Sequence, residues 1–158
     1  MATLRVRGNP ILDPTPMSTD TTRNAKMLSG QTSCVLLVED DPLARERLEA
    51  LIAAAGFGVF GVESCAEALA AASMLTFPLM IIDRVLADGD GLQLIATIRE
   101  RSLPNRVFIM LYSTLDHPDD LAKGIDAGAD DYLSKRASDE ELLDRLKSAI
   151  RNVKLRMK

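Results

Sequence analysis

The sequence has a single histidine, His117, and two cysteines, Cys34 and Cys65. Cys34 opens an apolar segment and Cys65 lies in a small-residue segment, a spacing that fits neither a disulfide framework nor cysteine metal ligation. Both read as small core hydrophobes in a reducing compartment. A lone histidine in a polar loop reads as solvated, and we assign His117 no role. Positive charge is also in short supply: 19 Lys and Arg against 23 Asp and Glu leave a formal net charge of −4. That balance gives no general basic surface, so no direct nucleic-acid binding is expected from this segment. No apolar run approaches the roughly 18 to 20 residues of a membrane span. The N-terminus also lacks the continuous apolar stretch of a signal peptide. No membrane partner is expected, and the expected location is the cytoplasm.

What the chain does have is apolar content, 47% of 158 residues, enough for one good core and one domain. Residues 1–33 differ in texture, with Pro10, Pro14, Pro16, a Ser-Thr-Asp-Thr-Thr cluster and no hydrophobic period. They are expected to be a disordered leader. From Cys34 onward strand and helix signals alternate five times, the mark of an α/β domain with a parallel sheet. Strands are expected at Cys34–Val38, Val59–Val62, Leu79–Asp83, Val107–Tyr112 and Asp131–Ser134. The intervening helices carry start signals: Asp41 before Pro42, Ser64 with Glu67, Pro118, and Ser138 with Glu141. The final helix presents Leu142, Leu146, Ile150 and Val153 on one face, and residues 155–158 are taken as a tail. The fold class is therefore α/β, a doubly wound five-stranded parallel sheet with five helices.

In such sheets ligands bind at the carboxyl ends of the strands. The run Leu79-Met80-Ile81-Ile82 ends abruptly in Asp83, and Cys34–Val38 ends in Glu39-Asp40-Asp41. Ser113 follows the fourth strand and Lys135 the fifth. Taken singly, each has an ordinary reading: a turn aspartate, a turn hydroxyl, a surface lysine. Together, three carboxylates at one edge repel one another unless a divalent cation neutralises them. An oxygen-only donor set without histidine or cysteine suits Mg²⁺. A hydroxyl and an ammonium facing those acids suit a phosphoryl group between them.

Residues 34–154 thus resemble the receiver domain of bacterial two-component response regulators. The resemblance is carried by Val38-Glu39-Asp40, by Asp83-Arg84-Val85-Leu86-Ala87-Asp88-Gly89-Asp90-Gly91, and by Lys135 preceded by Tyr132. It implies a flavodoxin-like strand order 2-1-3-4-5 and a phosphoacceptor at Asp83. It also implies Mg²⁺ held by Glu39, Asp40, Asp83 and the Val85 carbonyl, with Ser113 and Lys135 binding the phosphoryl oxygens. Ser113 and Tyr132 would form a switch that alters the face built by the fourth and fifth helices. The implied partners are a sensor histidine kinase or phosphotransfer protein, an output domain or partner protein, and a second copy in a homodimer. Beyond self-phosphorylation and slow autodephosphorylation, the resemblance implies no turnover enzyme.

The sequence departs from the family at three points. Arg136 stands where proline usually follows the lysine, so a trans bond is expected there, because a cis bond before a non-proline residue costs about 3 kcal/mol. Thr114 replaces a smaller residue. Val85 and Leu115 place apolar side chains where the family positions the water that attacks the aspartyl phosphate, and a long-lived phosphoryl group is expected. Two alternatives differ in kind. A Mg²⁺-dependent phosphohydrolase is disfavoured because Val85, not a second aspartate, stands two residues after Asp83. A scaffold without phosphorylation is disfavoured because every chemical position is filled.

Overall fold

The computed structural model describes residues 34–101, 106–114 and 118–156. The expected leader, Leu115 and His117 lie outside them. Within the described residues the chain runs β1 (Cys34–Val38), α1 (Pro42–Ala54), β2 (Gly58–Val62), α2 (Cys65–Met74), β3 (Leu79–Asp83), β4 (Val85–Leu86), β5 (Gly89–Asp90), α3 (Gly91–Glu100), β6 (Phe108–Ser113), α4 (Pro118–Ala127), β7 (Asp131–Ser134) and α5 (Asp139–Arg156).

Five strands form one parallel sheet in the order β2-β1-β3-β6-β7, the expected 2-1-3-4-5 order once the β4-β5 ribbon is set aside. β1, β3 and β6 are buried along their whole length, as strands covered on both faces must be. Their alternate residues feed two cores. Leu36, Val38, Met80, Ile82, Ile109 and Leu111 pack towards α2 and α3. Leu37, Ile81, Met110 and Tyr112 pack towards α1 and α5, where Leu48, Ile52, Leu142 and Leu146 close the layer. Fully burying each such side chain stabilises the fold by about 1.5–3 kcal/mol.

The capping signals place the helices. Asp41 accepts from Ala44 N at 3.1 Å with Pro42 in the first turn, Ser64 from Glu67 N at 3.1 Å, and Ser138 from Glu141 N at 3.2 Å. Gly56, at φ 89°, follows α1 in the left-handed region that glycine tolerates. Three strand boundaries move by a residue: the start of β2 to Gly58, and the start and end of β6 to Phe108 and Ser113. α3 starts at Gly91 because Asp90 caps it through Leu92 N at 2.9 Å. β6 extends to Ser113, which pairs with Ser134 of β7. The segment after β3 closes as the two-stranded ribbon β4-β5, which the alternation of strand and helix signals does not reveal. α5 continues past the expected domain end at residue 154.

A candidate phosphoacceptor site

Parallel register brings the site together. Val38 pairs with Ile82, so the residue after each, Glu39 and Asp83, stands at the same sheet edge. Asp83 pairs with Tyr112, and Ser113 with Ser134, which sets Lys135 one residue beyond. Asp83 is the last residue of β3, as expected, and although it is a carboxylate at the strand end it is buried with the core.

Glu39 is fully buried. Its Oε2 accepts from Asp41 N at 3.2 Å, and its Oε1 lies 2.8 Å from Lys135 Nζ. The same ammonium donates to Asp83 Oδ2 at 2.9 Å. One cation thus bridges two buried carboxylates. Burial, then hydrogen bonding to Asp83, pushes the Glu39 carboxyl up to about 8, while Lys135 pulls it the other way. Burial on its own lowers the Lys135 pKa, but Glu39 and Asp83 outweigh it and the net shift is upward.

Asp40 Oδ2 accepts from Ala87 N at 2.9 Å and Asp83 Oδ1 from Val85 N at 3.2 Å, so both acids also organise the loop after β3. That loop is pinned at both ends, Arg84 N to Tyr112 O and Gly91 N to Arg84 O, each at 2.9 Å. Glu39, Asp40 and Asp83 each offer a carboxylate oxygen within 4.8 Å of the other two. An all-oxygen set this tight, with one member fully buried, could hold a metal ion, and its chemistry fits a hard divalent cation.

Ser113 is buried at the end of β6, and its carbonyl accepts from Lys135 N at 2.8 Å. Tyr132 is half-buried, its hydroxyl 3.5 Å from the Ser113 carbonyl. Thr114 and Val85 are exposed beside the site. The Lys135–Arg136 bond is trans, as expected.

Three residues of this region escaped the sequence reading. Tyr112 lies with its ring 5.1 Å from Lys135 Nζ, a cation–π contact. Asp88 accepts from Cys65 N at 2.9 Å and Ala66 N at 3.2 Å, fastening the loop after β3 to the first turn of α2. Arg47 of α1 reaches the loop after β7. Tyr112 had a signal, as an aromatic beside Ser113 on the opposite face of its strand. The other two join segments far apart in sequence and had none.

The sequence profile of the response regulator receiver domain matches residues 35–147. The chain belongs to that family. The transcriptional regulatory protein GltR of Pseudomonas aeruginosa is 38% identical over 125 residues, 78% of this chain and 51% of its own length. The KDP operon transcriptional regulatory protein KdpE of Escherichia coli is 37% identical over 117 residues, 74% of this chain and again 51% of its own length. The chain therefore spans about half the length of these relatives. Among solved structures, the Vibrio cholerae chemotaxis protein CheY4 superposes with a TM-score of 0.69 at 26% identity, covering 74% of this chain and 98% of that one. The receiver domain of response regulators is thus the unit described, and the two curated relatives named here are transcriptional regulatory proteins. No described helix is long and apolar enough to cross a membrane.

Proposed function

We propose that this receiver domain accepts a phosphoryl group on Asp83 and uses it to control an output module or partner protein. The observation that carries the reading is the bridge from Lys135 to both Asp83 and Glu39, with Asp40 alongside. It presents a carboxylate nucleophile, an acidic oxygen cluster and a cation at one strand edge. An Asp83 oxygen attacks the phosphorus of a phosphohistidine on a partner kinase. The P–O bond forms as the P–N bond breaks, and the departing imidazole retains the electron pair and takes a proton. The product is an acyl phosphate. Glu39, Asp40, Asp83 and the Val85 carbonyl would hold Mg²⁺, which when bound offsets the charge on the transferring oxygens. Lys135 moves from its carboxylate partners to a phosphoryl oxygen, and Ser113 donates its hydroxyl to another.

Release of Lys135 and engagement of Ser113 supply the bias for a two-state change. Tyr132, one turn of hydrogen bonding away through the Ser113 carbonyl, follows it, and the face of α4 and α5 changes with it. The kinase or phosphotransfer protein, the output partner and a homodimer belong to this reading, as does a bacterial cytoplasmic setting. Its test is chemical. Treated with acetyl phosphate and Mg²⁺, the protein should gain a phosphoryl group that neutral hydroxylamine removes, as it does from acyl phosphates. Steady turnover of small phosphoesters without a bound phosphoryl group would support the phosphohydrolase alternative instead.

A further inference from the structure

Lys135 acts from a loop, and a loop needs something to hold it. The segment between β7 and α5 is tied to its own strands by Lys135 N to Ser113 O at 2.8 Å and Ala137 N to Ser134 O at 3.1 Å. Arg136 N adds a bond to Ser134 Oγ at 3.1 Å. None of these connects it to α1, the helix that follows the acidic pair. Arg47 does. Its Nη2 donates to the Ala137 carbonyl at 2.8 Å and its Nε to Asp139 Oδ1 at 2.6 Å, across about ninety residues of sequence. Two divergent donors on one planar group fix a position better than a point charge can.

The other end of this tie leads to the carboxylates. Arg45, half a turn before Arg47 on α1, donates its Nη1 to the Glu39 carbonyl at 2.8 Å. Asp41, which caps α1, donates its backbone N–H to Glu39 Oε2. α1 therefore holds Glu39 on one side and the Lys135 loop on the other. The Tyr112 ring supports the ammonium between them, 5.1 Å from Nζ.

We infer that Arg47 is a positioning residue for the phosphoacceptor site: by tying the loop after β7 to α1, it sets where the Lys135 ammonium stands against Glu39 and Asp83. The inference rests on the reading of that site as a phosphoacceptor. The Arg47 side chain is 35% exposed and Asp139 67% exposed, so the ion pair itself contributes little. The bond to the Ala137 carbonyl is the arm that fixes the loop.

The experiment compares the full chain with Arg47→Ala, Arg47→Lys and Asp139→Ala. Four quantities are read: the phosphorylation rate with acetyl phosphate at saturating Mg²⁺, Mg²⁺ affinity by calorimetry, amide exchange at residues 135–138, and the melting temperature. Arg47→Ala should lower the rate about tenfold, because a displaced ammonium no longer meets the phosphoryl oxygen. Mg²⁺ affinity should hold or tighten, since Lys135 competes with the metal for the same carboxylates. Exchange in the loop should quicken while melting changes little. Arg47→Lys should resemble Arg47→Ala, and Asp139→Ala should lose less because the Ala137 bond remains. A wild-type rate and wild-type exchange in Arg47→Ala would overturn the inference. So would a parallel fall in rate, Mg²⁺ affinity and melting temperature, the pattern of general destabilisation. If wild type takes no phosphoryl group, the phosphoacceptor reading fails separately. Exchange and Mg²⁺ titration still decide the tie, faster exchange at unweakened Mg²⁺ affinity supporting it and wild-type exchange overturning it.

Discussion

The Lys135 ammonium stands 2.8 Å from Oε1 of Glu39, a carboxylate with no exposure to solvent. A second buried carboxylate, Asp83, shares the same cation at 2.9 Å. Lys135 thereby does part of what a divalent cation would do there: it keeps two acids from repelling each other in a poorly solvated place.

Lys135→Met removes that cation and leaves the two acids facing one another. Urea denaturation without Mg²⁺ should show a loss of about 1–3 kcal/mol, because a buried polar group has lost its partner and partial protonation recovers some of the cost. Saturating Mg²⁺ should restore part of it by binding the native state. A variant as stable as wild type without Mg²⁺ would contradict the bridge.

Gly91 tests how tightly the loop after β3 closes. A Cβ there would lie 2.0 Å from the Asp83 carbonyl oxygen and 3.0 Å from Arg84 Cα, both backbone atoms that cannot swing aside. Gly91→Ala should cost about 3 kcal/mol, as overpacking against fixed atoms does, and slow phosphorylation by moving Asp83. Wild-type stability and rate in this variant would show that the loop yields freely.

These contacts mark where sequence reading succeeds and where it stops. β1 and β3 are legible because strands buried on both faces are continuous apolar runs, and their ends announce Glu39, Asp40 and Asp83. Ser64, Asp41 and Ser138 are legible because a cap acts within one turn. The β4-β5 ribbon is not, since two residues per strand carry no period. Asp88 and Arg47 are also opaque: each bonds a segment that only the folded topology brings near, Asp88 the start of α2 and Arg47 the loop after β7. Tyr112 reads from sequence as one more core aromatic, and only the approach of Lys135 gives its ring a second use.

Asp88 makes a pH prediction. Burial alone would raise its pKa, but the N–H groups of Cys65 and Ala66 outweigh that and hold the carboxyl below its ordinary 3.8. A carboxyl depressed in the folded state stabilises above its unfolded pKa and loses that contribution as pH falls through the folded value. Asp88→Ala should therefore be less stable than wild type at neutral pH by about 0.5–1 kcal/mol, the size of a helix cap. The gap should narrow only below pH 3.8. Melting curves across pH would test it, and a gap that closed well above that point would be against it.

Val85 is 64% exposed and adjoins the Asp83 loop. With no polar side chain there to hold an attacking water, the acyl phosphate should be long-lived. Val85→Asn combined with Leu115→Glu should shorten its lifetime several-fold. An unchanged decay rate would contradict the long-lived acyl phosphate expected from these two apolar side chains.

The central claim is that Asp83 is the phosphoacceptor, and intact mass tests it most directly. Wild type and Asp83→Asn would each be incubated with acetyl phosphate, with and without Mg²⁺. The account predicts one added phosphoryl group on wild type, dependent on Mg²⁺, and none on Asp83→Asn. Equal addition to both proteins, or none to wild type once rapid hydrolysis is excluded by early quenching, would contradict it.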